Sequence, residues 1–191
     1  MEWYIYLAII VIGVVVGFIN TVAGSGSLLS LPLLIFCGLD ANVANGTNRI
    51  AILMQSITGT LAFQKKKVLN WTESTFQTIP AVIGSIIGAF SAVNLKTGVM
   101  EIAIGVVLFL MLVLMLIKPE KWIHENPEKK KKKTIWQFLI FFVIGLYGGF
   151  IQASVGFFLL AGLVLSAGFD LVKANAIKVL IVLLYTPFVL G

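Results

Sequence analysis

One apolar segment, broken by glycine, occurs twice in this chain. Gly17-Phe18-Ile19-Asn20-Thr21-Val22-Ala23-Gly24 returns 132 positions on as Gly149-Phe150-Ile151-Gln152-Ala153-Ser154-Val155-Gly156. Both copies sit inside apolar runs of membrane-spanning length. Backbone freed by a glycine break is tolerated at membrane depth only where it faces protein or a watery cavity. A chain that repeats such a break, with an amide side chain beside it each time, is built as secondary transporters are.

The runs themselves follow in order. Trp3 to Ala23 is long enough to span, and Gly24-Ser25-Gly26-Ser27 interrupts the chain after it. Residues 28–38 form a half-length apolar run. Residues 44–63, 76–93 and 99–117 read as spans, 118–133 as a polar loop and 135–155 as a span broken at Gly156. A second half-length run, 157–167, precedes a last span that starts at Ala174. The first run has only Glu2 as an early charge and lacks a basic leader region, so it reads as a retained span rather than a signal peptide. The expected fold is an all-α integral membrane protein of two helical halves, with discontinuous or re-entrant helices broken at Gly24–Gly26 and at Gly156. Residues 1–117 form the first repeat, 118–134 a cytoplasmic basic loop and 135–191 the second.

The repeat extends beyond the breaks. Gly13 and Gly17 recur as Gly145 and Gly149. Gly38-Leu39-Asp40 recurs as Gly168-Phe169-Asp170, and Ala44-Asn45 as Ala174-Asn175, now 130 positions on. At that offset the last residue, Gly191, matches position 61. Counterparts of the 76–93 and 99–117 spans are therefore absent, and the second half reads as incomplete, as in a truncated chain. Glycines at four-residue spacing, including Gly84 and Gly88, let helix backbones approach closely in lipid. The hydropathy pattern leaves inverted and parallel halves both open.

Composition agrees with a membrane setting. Hydrophobic residues make up 59% of the chain and charged ones 12%, with a mean hydropathy of +1.04; soluble domains carry about twice that share of charge. The net charge of +6 does not point to nucleic acid, because the lysines lie between apolar runs. Lys65-Lys66-Lys67 and the 118–133 loop are separated by an even number of crossings, which puts both on the cytoplasmic side and Asp40 and the 94–97 turn outside. Trp3, Tyr4, Trp71, Trp122 and Trp136 mark span ends. Cys37 is the only cysteine and His124 the only histidine, so the sequence offers no disulfide, no metal cluster and no catalytic triad. No enzymatic activity and no cofactor are expected.

The polar residues inside the runs are the candidate site. The Gly24-Ser25-Gly26-Ser27 turn would leave the next helix with free N–H groups and the positive end of its dipole, which suits a small anion; a serine-capped kink is the simpler alternative. Gly24-x-Gly26 is not a dinucleotide fingerprint, since Leu29 stands where the third glycine belongs. Asn45, Asn48 and Arg49 fall at i, i+3 and i+4 on one helix face, continued by Ile52, Gln55, Ser56 and Thr60. Arg49 is the only arginine, and an ionisable group inside a span marks function by default, although a snorkelling side chain would look the same. In the second copy Asn175 replaces Asn45 and Lys178 replaces Asn48. Asn20 and Gln152 hold equivalent places beside the breaks, as substrate contacts or as interhelical hydrogen bonds. The substrate-binding set expected is thus Asn20, Gly24, Ser25, Gly26, Ser27, Asn45, Asn48, Arg49, Gln152, Asn175 and Lys178.

The stretch Gly17 to Leu34, with Gly38-Leu39 and Ala44-Asn45-Gly46-Thr47-Asn48-Arg49 behind it, is similar to the signature of the TauE/SafE sulfite-exporter family. The resemblance runs over most of the chain. It implies a multi-pass protein of the prokaryotic inner membrane, with duplicated halves of four spans each, that moves sulfite, sulfonates or related organosulfur anions. The second copy departs from the pattern, since Phe157-Phe158 replaces the Ser-Gly that follows the first break. The function expected is secondary transport of small organosulfur anions by alternating access. A non-transporting receptor or assembly component of the same fold is the alternative. The partners are the anion and the lipid bilayer; a coupling ion, proton or sodium, and self-association stay open.

Overall fold

In the computed structural model, residues 3–93, 97–116 and 134–189 are described. Among them every regular element is a helix. Helices α1 (Trp3–Ala23), α2 (Ser27–Phe36), α3 (Ala41–Lys65), α4 (Trp71–Val93) and α5 (Thr97–Leu116) precede the basic loop. Helices α6 (Ile135–Phe150), α7 (Val155–Ala161) and α8 (Leu171–Tyr185) follow it. Helix α7 runs on into a π-helical turn (Gly162–Ser166), and α8 into a 3₁₀ turn (Thr186–Val189). The 118–133 loop with Trp122 and His124, the 94–96 turn and the side chains of Trp3 and Tyr4 lie outside the described residues.

The first interruption is where the sequence places it. Gly24 adopts φ +72°, the left-handed conformation that glycine takes without steric cost. A Cβ there would lie inside the backbone of Gly156, and one on Gly26 would strike Val16 O and Asn20 Cβ. The second interruption differs from expectation. It falls at residues 151–154, and Gly156 belongs to the first turn of α7. The reason is local. With Phe157-Phe158 in place of Ser-Gly, nothing after Gly156 favours a break. Gly148 and Gly149 instead weaken the helix end before it. Ser154 then makes the turn at φ +57°. Both interruptions are buried, and they touch. Phe157 N–H donates to Gly24 O at 3.1 Å, so backbone freed in one break is partly satisfied by the other.

The short helices end alike. Gly38 (φ +92°) and Gly168 (φ +75°) both take left-handed backbone, the usual helix stop. An aspartate then opens the next helix in each case; Asp170 Oδ1 accepts from Lys173 N at 2.9 Å, while Asp40 makes no side-chain cap.

The closest helix pair is α4 with α6. The glycine spacing explains it. A Cβ on Gly84 would overlap Phe142 O and one on Gly88 would overlap Leu146 O; reciprocally, Gly145 lies against Ala81 O and Gly149 against Ser85 O. Each helix thus lays a small-xxx-small strip on the other's backbone. Gly13 and Gly17 on α1 differ, since a Cβ on either would meet nothing within 4 Å.

Helix α8 runs through the middle of the molecule. Its Ile177, Leu180, Ile181 and Tyr185 pack with Phe141, Val155, Leu159 and Leu163. A second cluster joins Leu31, Ala41 and Ala44 to Met100, Ile104 and Ile151. Outside these cores the surface is strongly apolar, with Ile10, Val14, Phe18, Phe90, Ile102 and Phe109 all exposed. Apolar surface on that scale is costly in water and free of cost against lipid. By length and composition two helices, Trp71–Ala92 and Leu171–Val189, are each sufficient to cross a bilayer.

Candidate functional site

A narrow cleft with room for about a water molecule or two, part of it open to the outside, lies where the two interruptions meet. Asn20 from α1 and Ser27 from the start of α2 form one wall. Ile52, Gln55 and Ser56 of α3 form the next. Gln152 in the second interruption, Val155 and Gly156 close it, with Lys178, Val179, Val182 and Tyr185 along α8. Four of the residues expected from sequence, Asn20, Ser27, Gln152 and Lys178, therefore line one space.

Lys178 is 3% exposed. Its Nζ donates to Thr21 O at 2.9 Å and to Asn20 O at 3.2 Å. These carbonyls belong to the last turn of α1, the negative end of that helix dipole, where a cation is welcome. Asn20 itself is held from the side. Its Nδ2 donates to Gln55 Oε1 at 2.8 Å, and Gln55 Nε2 donates to Thr21 Oγ1 at 2.5 Å and Gly17 O at 3.2 Å. The C-terminal end of α1 is thus fixed by the Gln55 amide from α3 and the Lys178 ammonium group from α8.

Arg49 does the corresponding work at the other interruption. Its guanidinium is buried and does not snorkel to the surface. Nη2 donates to Gly149 O at 2.6 Å and to Phe150 O at 3.3 Å, and Nη1 donates to Val189 O. The first two carbonyls end α6. The planar fork therefore ties the end of α6 to the 3₁₀ turn after α8. Nε is left without a partner. Arg49 does not line the cleft.

The remaining expected residues lie around this centre. Gly24, Ser25 and Gly26 are buried and form the turn beside the cleft. Asn48 accepts from Ser30 Oγ at 2.6 Å, which joins α3 to α2, and its Nδ2 has no partner. Asn45 is buried with Oδ1 unpartnered. Asn175 is half-buried, one turn before Lys178, also with an unpartnered Oδ1. Asn45, Asn48 and Asn175 are not among the cleft residues.

Sequence reasoning missed Tyr185. It is fully buried, its hydroxyl has no hydrogen-bond partner, and it lines the cleft. The signal was available, since Lys178, Val182 and Tyr185 fall at i, i+4 and i+7 on one face of α8.

The site is rich in hydrogen-bond donors and carries no acid. Among the described residues the ion pair present is Lys173–Asp170, at the exposed start of α8, and no cluster suited to a metal ion occurs.

Residues 9–189 match the family model described as "Sulfite exporter TauE/SafE". The chain is 26% identical over 165 residues to "Probable membrane transporter protein YfcA" of Escherichia coli strain K12, a match that covers 86% of this chain and 61% of that protein. It is 24% identical over 178 residues to "Probable membrane transporter protein ORF9" of Sinorhizobium sp, covering 92% and 67% respectively. A "Probable membrane transporter protein" of Haemophilus influenzae is 26% identical over 165 residues, 86% of this chain and 64% of that one. The chain therefore spans roughly three fifths to two thirds of these relatives' length. No solved structure matches it.

Proposed function

The chain belongs to the sulfite exporter TauE/SafE family, and from that premise we propose that it forms part of a secondary transporter for small organosulfur anions, sulfite and sulfonates, in the prokaryotic cytoplasmic membrane. The observation that carries this reading is Lys178. A buried ammonium is costly unless it is paired. Lys178 forms no ion pair among the described residues; its two contacts are neutral carbonyls, and it stands at the edge of a cleft. An ammonium has three donors, so one is left for a ligand. An oxyanion in the cleft supplies both the missing acceptor and the missing negative charge.

Alternating access has a natural axis here. The two interruptions touch at the Gly24–Phe157 hydrogen bond, with the cleft beside them. Rocking of the halves about that contact opens the cleft to one side and then to the other, as discontinuous-helix transporters do. The N-terminal end of α2, beginning at buried Ser27, adds the positive end of a helix dipole to the same space.

The test is flux. Proteoliposomes holding the protein and loaded with sulfite lose it down a gradient, and Lys178→Met lowers that rate by about tenfold or more, the effect of removing one charge-assisted hydrogen bond. Lys178→Arg retains part of the flux. Equal rates for wild type and Lys178→Met overturn the proposal.

A further inference from the structure

The segments that carry the repeat meet through matched contacts. A Cβ on Gly24 would overlap the backbone of Gly156, and one on Gly156 would overlap the backbone of Gly24. Arg49 of α3 holds the end of α6, while Lys178, in register with Asn48, reaches from α8 to the end of α1. Contacts of the form i to j and j to i are those of a two-fold relation. Helices α1 and α6 thus hold equivalent places, each with one copy of the segment.

One contact lacks its mate. Gly145 and Gly149 of α6 are buried against the Ala81 and Ser85 carbonyls of α4. Their counterparts on α1, Gly13 and Gly17, meet nothing within 4 Å. Ile10 and Val14 stand in register with Phe142 and Leu146, whose carbonyls receive Gly84 and Gly88 of α4. Both are exposed, at 63% and 69%. Helix α1 therefore presents the interlocking strip that α6 presents, with no helix laid on it. Helix α4 is already engaged by α6, and the charged 118–133 stretch is no substitute for an apolar helix. We infer that the Gly13–Gly17 face of α1 is an interface for one further transmembrane helix, the second copy's equivalent of α4, which residues 1–191 do not contain. Its backbone lies on Gly13 and Gly17, and its own small residues, four apart, lie on the Ile10 and Val14 carbonyls. The relatives have room for such a helix, since the matches cover 61% and 67% of two of them and a third or more of each lies outside. Lipid chains pack on any apolar face and need no such strip. The inference is independent of the anion site.

The test uses the purified 191-residue chain in detergent micelles, with a donor dye on Cys37, and a synthetic Trp71–Val93 peptide that carries an acceptor dye. The peptide stands in for the further helix, because its strip already fits the copy of this face on α6. Energy transfer rises saturably with peptide, and Gly13→Leu with Gly17→Leu weakens the apparent affinity by about tenfold or more. Both positions face open space within the chain, so its melting temperature stays the same. Gly84→Leu with Gly88→Leu in the peptide weakens binding equally, and decides the matter even where the chain variant does not fold. Absence of saturable transfer overturns the inference, as does transfer that survives the substitutions on either partner. Transfer between donor-labelled and acceptor-labelled chains without peptide, lost with Gly13→Leu and Gly17→Leu, overturns it too, by making a second copy the occupant.

Discussion

Arg49 shows how a residue is legible in sequence while its role is not. A lone arginine on a polar stripe inside an apolar run announces that something must hold it. Its holders are backbone oxygens of Gly149, Phe150 and Val189, a hundred or more positions away. Carbonyl oxygens carry no residue-type signal, so no pattern in the chain points to them. Lys178 is the same case, tied to Asn20 and Thr21 carbonyls. Tyr185 escaped notice for a simpler reason, since a single hydroxyl at the end of the apolar run from Val179 to Leu184 barely disturbs its character. The guanidinium works chiefly as a clamp, and Arg49→Ala leaves three carbonyls unpaired in a dry setting. The expected cost is about 2–4 kcal/mol, read as a shift in denaturant-induced unfolding in detergent micelles. Arg49→Lys recovers less than half of it, because an ammonium cannot bridge three carbonyls on two elements as a planar fork does. Full recovery by lysine would show that charge alone matters there.

At the scale of helices the glycines divide into two kinds, and only the structure separates them. Gly13/Gly17 and Gly145/Gly149 have the same spacing and the same flanks, Val-Ile before and Phe-Ile after, yet the second pair is packed and the first open. Gly145→Ala places a methyl group on the backbone of Ala81 and forces α4 and α6 apart. It lowers stability by about 1–3 kcal/mol, measurable as a lower melting temperature of the purified protein. Gly13→Ala meets nothing and, by the helix preference of alanine, leaves stability equal or raises it by up to about 1 kcal/mol. Equal effects at the two positions would refute the packing account of the spacing. The first interruption was legible because its glycines are conformationally necessary at Gly24 and sterically necessary at Gly26. The second was misplaced by a few residues. There the helix end is decided by tertiary contacts, Arg49 on its last carbonyls and Tyr147 Oη on Ala153 O at 2.5 Å, and not by the glycine that copies the first pattern.

For the molecule as a whole, α3 is the measuring rod. Its 25 residues extend about 37 Å at 1.5 Å per residue, more than the roughly 30 Å hydrocarbon thickness. A helix of that length is sufficient to put the segment just before α3 and the lysines at its end on opposite faces, the arrangement expected here. The exposed Cys37 is labelled by a membrane-impermeant maleimide from the face opposite to that which labels Lys66→Cys in a Cys37→Ser background. Labelling of both from one face would deny α3 its crossing. That α3 ends at the lysines was readable from sequence alone, because a charge run closing an apolar run is a one-dimensional pattern. The arrangement of the interior was not, because each broken helix is finished by a side chain from the other end of the chain. Arg49, early in sequence, grips α6, and Lys178, late in sequence, grips α1. Such a crossed fastening makes the parts reciprocal, like two people each holding the other's sleeve. Neither can step away without tugging its opposite, since the two interruptions they fasten meet at the Gly24–Phe157 hydrogen bond.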